Sequence, residues 1–354
     1  MGINAKSQKR IESIQLIRAF SAITISLSHI PFTSINGWNI VFGVDIFLVL
    51  TGFLEMYVLD SHDSIDLKKF FLRKGIRILP LYWLITVLTF IVANIFTGAF
   101  GDTPTVSELV KSMLLIPYTK TSTITETVVV RPIIGPAHTL MYDAYFYVVY
   151  GIASRINMKK RGLIASAIIL LVFLCGRLFF ADNLFMAFYS NYWVIDFIFG
   201  ILLYSVYKYV KQNGDKIRQV LNRRFVSVRV LSLIGSIGCV IVFFLVSRIS
   251  VRGPSFIVLK CLPAFLFVLS VMMLFENGSI PKGLIRIGDI SYSYYLIHYY
   301  FLVAAQMVFG SFSSFSFGNL VFAFMALVLA ELAAYPLWLF VEQRFGNYLR
   351  KTIL

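Results

Sequence analysis

Residues 230–247, "VLSLIGSIGCVIVFFLVS", decide the fold class. No Asp, Glu, Lys, Arg or His interrupts them, while Arg229 and Arg248 stand at either end. A helix of this length rises about 27 Å at 1.5 Å per residue. That is close to the ~30 Å of hydrocarbon in a bilayer. In water the same helix would expose apolar surface on every side.

Similar runs recur to both ends of the chain. They cover roughly residues 13–31, 40–59, 78–99, 137–154, 162–181, 190–207, 230–247, 255–275, 288–309 and 319–341. The pattern predicts an all-α integral membrane protein with about ten transmembrane helices. The run at 137–154 stands apart, being rich in Tyr and interrupted by Asp143. Composition agrees: of 354 residues, 58% are hydrophobic and 14% charged, against roughly 25% charged in soluble domains. The length could hold two soluble domains, but no stretch reads as one, so residues 1–354 are expected to form a single membrane domain. The first run holds Arg18 and His29 and lacks a small-residue cleavage site, unlike a signal peptide. Cys175, Cys239 and Cys261 all fall inside apolar runs. They offer neither a disulfide framework nor metal-ligand spacing, and no metal is expected.

The net charge of +15 could suggest a nucleic-acid partner, but its placement gives another reason for it. With the N-terminus inside, the inner segments hold 24 Lys and Arg and the outer loops 5. Three more, Arg18, Arg177 and Lys260, lie within spans. This asymmetry follows the positive-inside rule and places both termini in the cytoplasm. The charge is a topology signal that also suits anionic lipid, and nucleic acid is not an expected partner.

Ionisable groups inside spans are costly and are candidates for function. Here they include Arg18, His29, Asp45, Glu55, Asp143, Asp196, His298 and Glu331. Arg18 lies near the inner end of the first span. His29 is eleven residues on, so about 16 Å deeper and almost on the same helix face. Asp45, Asp143 and Asp196 lie within about 10 Å of the outer ends of their spans, at a level similar to His29. A histidine with a carboxylate can form a base whose tautomer is fixed by a hydrogen bond. The plain alternative for each aspartate is an interfacial, hydrated and inert group. His298, on the aromatic helix "YSYYLIHYYF", is open to both readings. On the inner side, "LKKFFLRKGIRILP" sets Lys68, Lys69, Arg73, Lys74 and Arg77 beside the third span. On a helix, Lys74 and Arg77 are i, i+3 neighbours, and Arg73 and Arg77 i, i+4. Such a cluster suits a phosphate-bearing ligand; ordinary flanking charge is the alternative.

At these residues the chain resembles the membrane acyltransferase-3 family, over about residues 10–345. "IQLIRAFSAITISLSHI" resembles the family's opening, in which Arg is followed after ten residues by His, matched by Arg18 and His29. "GVDIFLVLTGFL" (43–54) resembles its second block, matched by Gly43, Asp45, Phe47, Gly52 and Phe53. "FFLRKGIRILPLYW" is similar to its basic block, and "GPAHTLMYDAYFYVVYG" to a block of the exopolysaccharide-acetylating branch. "IGDISYSYYLIHYYF" resembles the late block that ends in His. Lys74 stands where the family's basic pair has its first Arg, Asp143 where it has Glu, His138 where it has Trp, Thr51 where it has Ser, and Gln343 where the last block often has Pro.

The resemblance implies O-acylation, usually acetylation, of a cell-surface or lipid-linked polysaccharide at a bacterial inner membrane, as in exopolysaccharide or O-antigen modification. It implies acetyl-CoA as cytoplasmic donor, with no tightly bound cofactor. His29 would be base or transient acyl carrier, Asp45 or Asp143 its orienter, and Arg18 a ligand for donor phosphate or for developing negative charge. Arg73, Lys74 and Arg77 would hold the donor's phosphates. The chain's end at 354 carries the expectation that no extracytoplasmic esterase-like domain is appended. A rival reading is a multi-pass transporter of a lipid-linked glycan or small anion, with the buried groups as a relay. No pair of inverted repeats or broken helices supports it. A channel would show a regular pore-lining motif, and none stands out.

Overall fold

A computed structural model describes residues 11–30, 42–97, 103–121, 128–214, 216, 227–249, 251, 253–276, 279–310 and 316–354. The expected span ends at 31, 40–41 and 98–99, the basic residues before position 11, and residues 215 and 217–226 lie outside the described residues.

The helices in chain order are α1 (Glu12–Ser28), α2 (Phe42–Val58), α3 (Leu67–Ile95), α4 (Val106–Met113), α5 (His138–Ile156), α6 (Arg161–Leu178), α7 (Leu184–Tyr189), α8 (Trp193–Gln212), α9 (Val228–Val246), α10 (Leu262–Leu274), α11 (Lys282–Phe309), α12 (Phe317–Leu337) and α13 (Gly346–Ile353). A π-helical turn, Ile257–Cys261, leads into α10, and a second, Trp338–Phe345, joins α12 to α13. One feature departs from the all-helical expectation. Between α4 and α5, β1 (Thr119–Thr121) pairs antiparallel with β2 (Val128–Val130), Thr119 opposite Val130. The Thr and Val residues there favour extended backbone, and a Thr105–Glu108 capping box starts α4 just before it.

Each expected run overlaps a helix. Among the described residues, six helical segments are long and apolar enough to cross a membrane: α3, α6, α8, α9, Ile257–Leu274 and Phe317–Ile353. Several of these face outward. Ile234, Ile237 and Ile241 on α9 and Leu163, Leu171 and Leu178 on α6 are exposed, which fits lipid as their solvent. α1 and α2 are shorter, at 17 residues each. Together with α5 and α11 they carry Arg18, His29, Asp45, Glu55, Asp143 and His298. α3 begins eleven residues before the expected run, because the basic block is itself helical. Asp66 caps it, accepting from Lys69 N at 3.1 Å.

Two glycines draw the central helices together. A Cβ on Gly200 of α8 would lie 2.1 Å from Val49 O of α2, and one on Gly288 of α11 2.0 Å from Gln15 O of α1. Only a residue without a side chain permits such backbone approach between membrane helices. α11 is polar around its circumference, as a helix surrounded by others must be if each polar group is to find a partner. Successive residues turn by about 100°, so four in a row reach four neighbours. Tyr292 donates to Ile78 O of α3 (2.8 Å), Ser293 to Glu342, Tyr294 to Ser26 Oγ of α1 (2.7 Å) and Tyr295 to Pro136 O before α5. Thr139 Oγ1 lies 2.7 Å from the Tyr295 hydroxyl. That hydroxyl's one hydrogen is already given to a carbonyl, so Thr139 is the donor.

Candidate active site

Four cavities abut along α1. A mouth of about 330 Å³ at the end carrying the basic block is lined by Gln15, Arg18, Arg77, Asp289, Glu342 and Arg350. A narrow slot of about 160 Å³ follows, with Ile25, Val44, Phe47 and Leu48 among its apolar walls. A chamber of about 450 Å³ contains His29, His138, Trp193 and Lys260. A last cavity opens beyond it against Arg131, Tyr299 and Tyr300. Neighbouring cavities share walls. Arg18 and Arg77 line both mouth and slot, Ile25, Val44 and Tyr295 both slot and chamber, and His29 and His138 both chamber and last cavity.

At the mouth, neither Arg18 nor Arg77 forms an ion pair with a described residue. Asp289 and Glu342 line the same mouth without reaching ion-pair distance of either arginine, so both guanidinium groups keep a planar fork to offer to phosphate oxygens. Lys74 is placed differently. Its ammonium pairs with Glu55 of α2, a residue only 4% exposed, and sits 4.9 Å from the Tyr147 ring centre. Arg73 is exposed and lines none of the four cavities. Of the basic block, Lys74 and Arg77 therefore face the slot, and of these two Arg77 is the one with no ion pair among the described residues.

His29 ends α1, as its C-cap. Its Nδ1 lies 2.9 Å from Ile25 O and 3.2 Å from His298 Nε2. His298, fully buried on α11, has its Nδ1 3.3 Å from Tyr294 O. A carbonyl oxygen only accepts, so both Nδ1 atoms carry hydrogen. His29 Nδ1–H is then shared between Ile25 O and the lone pair of His298 Nε2. This leaves His29 Nε2 as the basic nitrogen. The Tyr299 ring stands edge-on to His29, centroids 6.0 Å apart at 74°. Such an imidazole has a fixed tautomer and a second imidazole to share positive charge when it takes up a proton, the arrangement general base catalysis calls for.

The aspartates lie elsewhere. Asp45 is fully buried against Asp196, with Trp193 and Cys261 close by. Asp143 lines the slot beside Thr51. Among the described residues no hydrogen bond joins either Asp45 or Asp143 to His29. Counting residues puts them at one depth, but their helices turn them into different surroundings. The group that meets His29 is His298, which the sequence left open. His138 lines the same chamber and packs against Trp193, the rings tilted by 32° with centroids 5.2 Å apart. The late block's closing His was the signal for His298; its burial on a helix with polar groups all round is the physical reason for it.

Comparison with known proteins gives the family. The family model described as "Acyltransferase domain" matches residues 11–339. The chain belongs to this acyltransferase family. Arg18 and His29 both lie within the matched region. The chain is 28% identical over 263 residues to the exopolysaccharide production protein ExoZ of Rhizobium meliloti, covering 72% of this chain and 74% of that one. It is 33% identical over 94 residues to the peptidoglycan O-acetyltransferase OatA of Listeria monocytogenes, covering 25% of this chain and 15% of that protein. No solved structure matches it.

Proposed function

We propose that this acyltransferase moves an acetyl group from cytoplasmic acetyl-CoA to a hydroxyl of a cell-surface or lipid-linked polysaccharide. The observation that carries the reading is the series of cavities, neighbours sharing walls, that leads from Arg18 and Arg77 to His29. Arg18 and His29 are about 16 Å apart along α1, a reach suited to a pantetheine arm whose phosphates stay at the mouth. The slot between them is mostly apolar, which suits the uncharged arm and excludes water from the thioester. His29 Nε2 takes the proton of the sugar hydroxyl as its oxygen attacks the thioester carbonyl. The carbon–sulfur bond breaks, CoA leaves as thiolate, and the imidazolium returns the proton to sulfur. Transient acylation of His29 would use the same nitrogen. The two named relatives, one in exopolysaccharide production and one in peptidoglycan O-acetylation, support a glycan as acceptor.

In this reading all ten runs cross the bacterial inner membrane as one unit, both termini are cytoplasmic, and the basic mouth faces the cytoplasm. The support is the division of Lys and Arg, 24 against 5. Cysteines placed at Ser107 and Gln212, both exposed, are expected to label from opposite sides, Ser107→Cys from outside intact cells. Labelling of Gln212→Cys from outside with Ser107→Cys protected would invert the topology. The reaction itself is tested by CoA release. Purified protein in vesicles should release CoA from acetyl-CoA faster when the host's glycan is supplied, and the glycan should gain acetyl groups. A transporter would move glycan without releasing CoA, and that result would replace the reading.

A further inference from the structure

The cavity beyond His29 holds a cation that acyl transfer does not need. It encloses about 240 Å³, and Arg131, Tyr299, Tyr300 and His138 line it together with His29. Arg131 directly follows β2. Its guanidinium has no hydrogen-bond or ion-pair partner among the described residues. No carboxylate lines this cavity among the described residues. A half-buried arginine with no counter-charge among the described residues is poised for an anion, because Coulomb attraction is stronger there than in bulk water. Its fork matches the two oxygens of a carboxylate or phosphate. A neutral sugar would be served as well by an amide or hydroxyl side chain. Tyr299, edge-on to His29 at 6.0 Å, adds an apolar ring face against which the C–H face of a sugar can pack.

Resting on the acyl-transfer reading, we propose that this cavity is the acceptor subsite and that the acceptor is an anionic glycan. Arg131 binds an acidic oxygen group of the acceptor, Tyr299 packs on the sugar ring, and a neighbouring hydroxyl is thereby presented to His29. The acidic group has two sources of the same chemistry, a uronate carboxylate within the glycan or the pyrophosphate of a carrier lipid.

Equilibrium binding to the purified full chain separates these. The probes are tetragalacturonate, the neutral galactose tetrasaccharide obtained by reducing its carboxyl groups, and farnesyl pyrophosphate. Tetragalacturonate is expected to bind at least about tenfold more tightly than its neutral counterpart, the size of one charge-assisted contact. That preference should vanish in Arg131→Gln and be partly kept in Arg131→Lys, which retains charge without the fork. Acetyl-CoA binding, unchanged in both variants, reports folded protein. Binding of farnesyl pyrophosphate that depends on Arg131, with no preference between the sugars, would assign the charge to the carrier. Equal binding of all three probes, or a preference undiminished in Arg131→Gln, would overturn the proposal. These readouts do not involve acetyl transfer. Absent CoA release in the wild type would count against the reaction, and the acceptor result would stand apart from it.

Discussion

Replacing His29 by alanine is expected to lower acetyl transfer to the glycan by about 10²–10⁴-fold, the usual loss when a general base is removed. Acetyl-CoA binding and membrane insertion should survive. The reason lies in the position of the ring. Its Nδ1–H is held by Ile25 O and His298 Nε2, so the free nitrogen is the one that can take a proton, and the ring forms part of both chamber and last cavity. Arg18 and Arg77, which hold the donor in this reading, are in the mouth and slot. The defect should therefore appear in the rate at saturating donor. His29→Gln keeps a hydrogen-bonding group but shuttles no proton, and it should fail similarly. The measurement is acetyl incorporation into the surface glycan at matched membrane expression. Transfer near the wild-type rate by His29→Ala would remove it from the chemistry and turn attention to His298 and His138.

Parts of this site are legible in the amino-acid sequence alone. The eleven-residue spacing of Arg18 and His29 puts them on one face of a helix at two depths, and that geometry follows from helix dimensions. The apolar runs are equally legible, since a sequence such as 230–247 has no stable alternative to lipid or a deep interior. The meeting of His29 with His298 is not. They are 269 residues apart in sequence, and their contact depends on how closely α1 and α11 approach, which is set by Gly288 against Gln15 O. The same holds for the aspartates. Rise per residue gives depth, but the direction in which Asp45 points depends on α8 crossing α2 at Gly200, and that crossing turns it toward Asp196. Lys74 is legible as one of a basic cluster, but its commitment to Glu55 is not, because no local rule joins a helix's first turns to a carboxylate on the preceding helix.

The second large effect is expected at the mouth. Arg77→Ala should weaken acetyl-CoA binding by roughly 10–100-fold, and Arg18→Ala should act in the same direction. A hydrogen bond to a charged group is worth about 1.5–3 kcal/mol, and about 1.4 kcal/mol is a factor of ten in binding. Arg18 and Arg77 line one cavity wall, and Asp289 and Glu342 in the mouth form an ion pair with neither, so both guanidinium groups can turn to a polyanion that enters. The affinity should accordingly fall as salt rises, and less steeply in each variant. Lys74 is expected to behave otherwise, although it belongs to the same basic block. Lys74→Ala leaves the carboxylate of Glu55, 4% exposed, without its partner. Breaking such a pair costs about 3–5 kcal/mol of stability, so the loss should be one of folded protein. Lys74→Ala combined with Glu55→Gln should recover most of that protein and bind acetyl-CoA nearly as the wild type does. Titration of acetyl-CoA into each purified variant, alongside its thermal midpoint, separates the two roles. Wild-type affinity in Arg77→Ala, with weak binding in the Lys74→Ala and Glu55→Gln double variant, would move the phosphate site from the Arg18–Arg77 pair to Lys74.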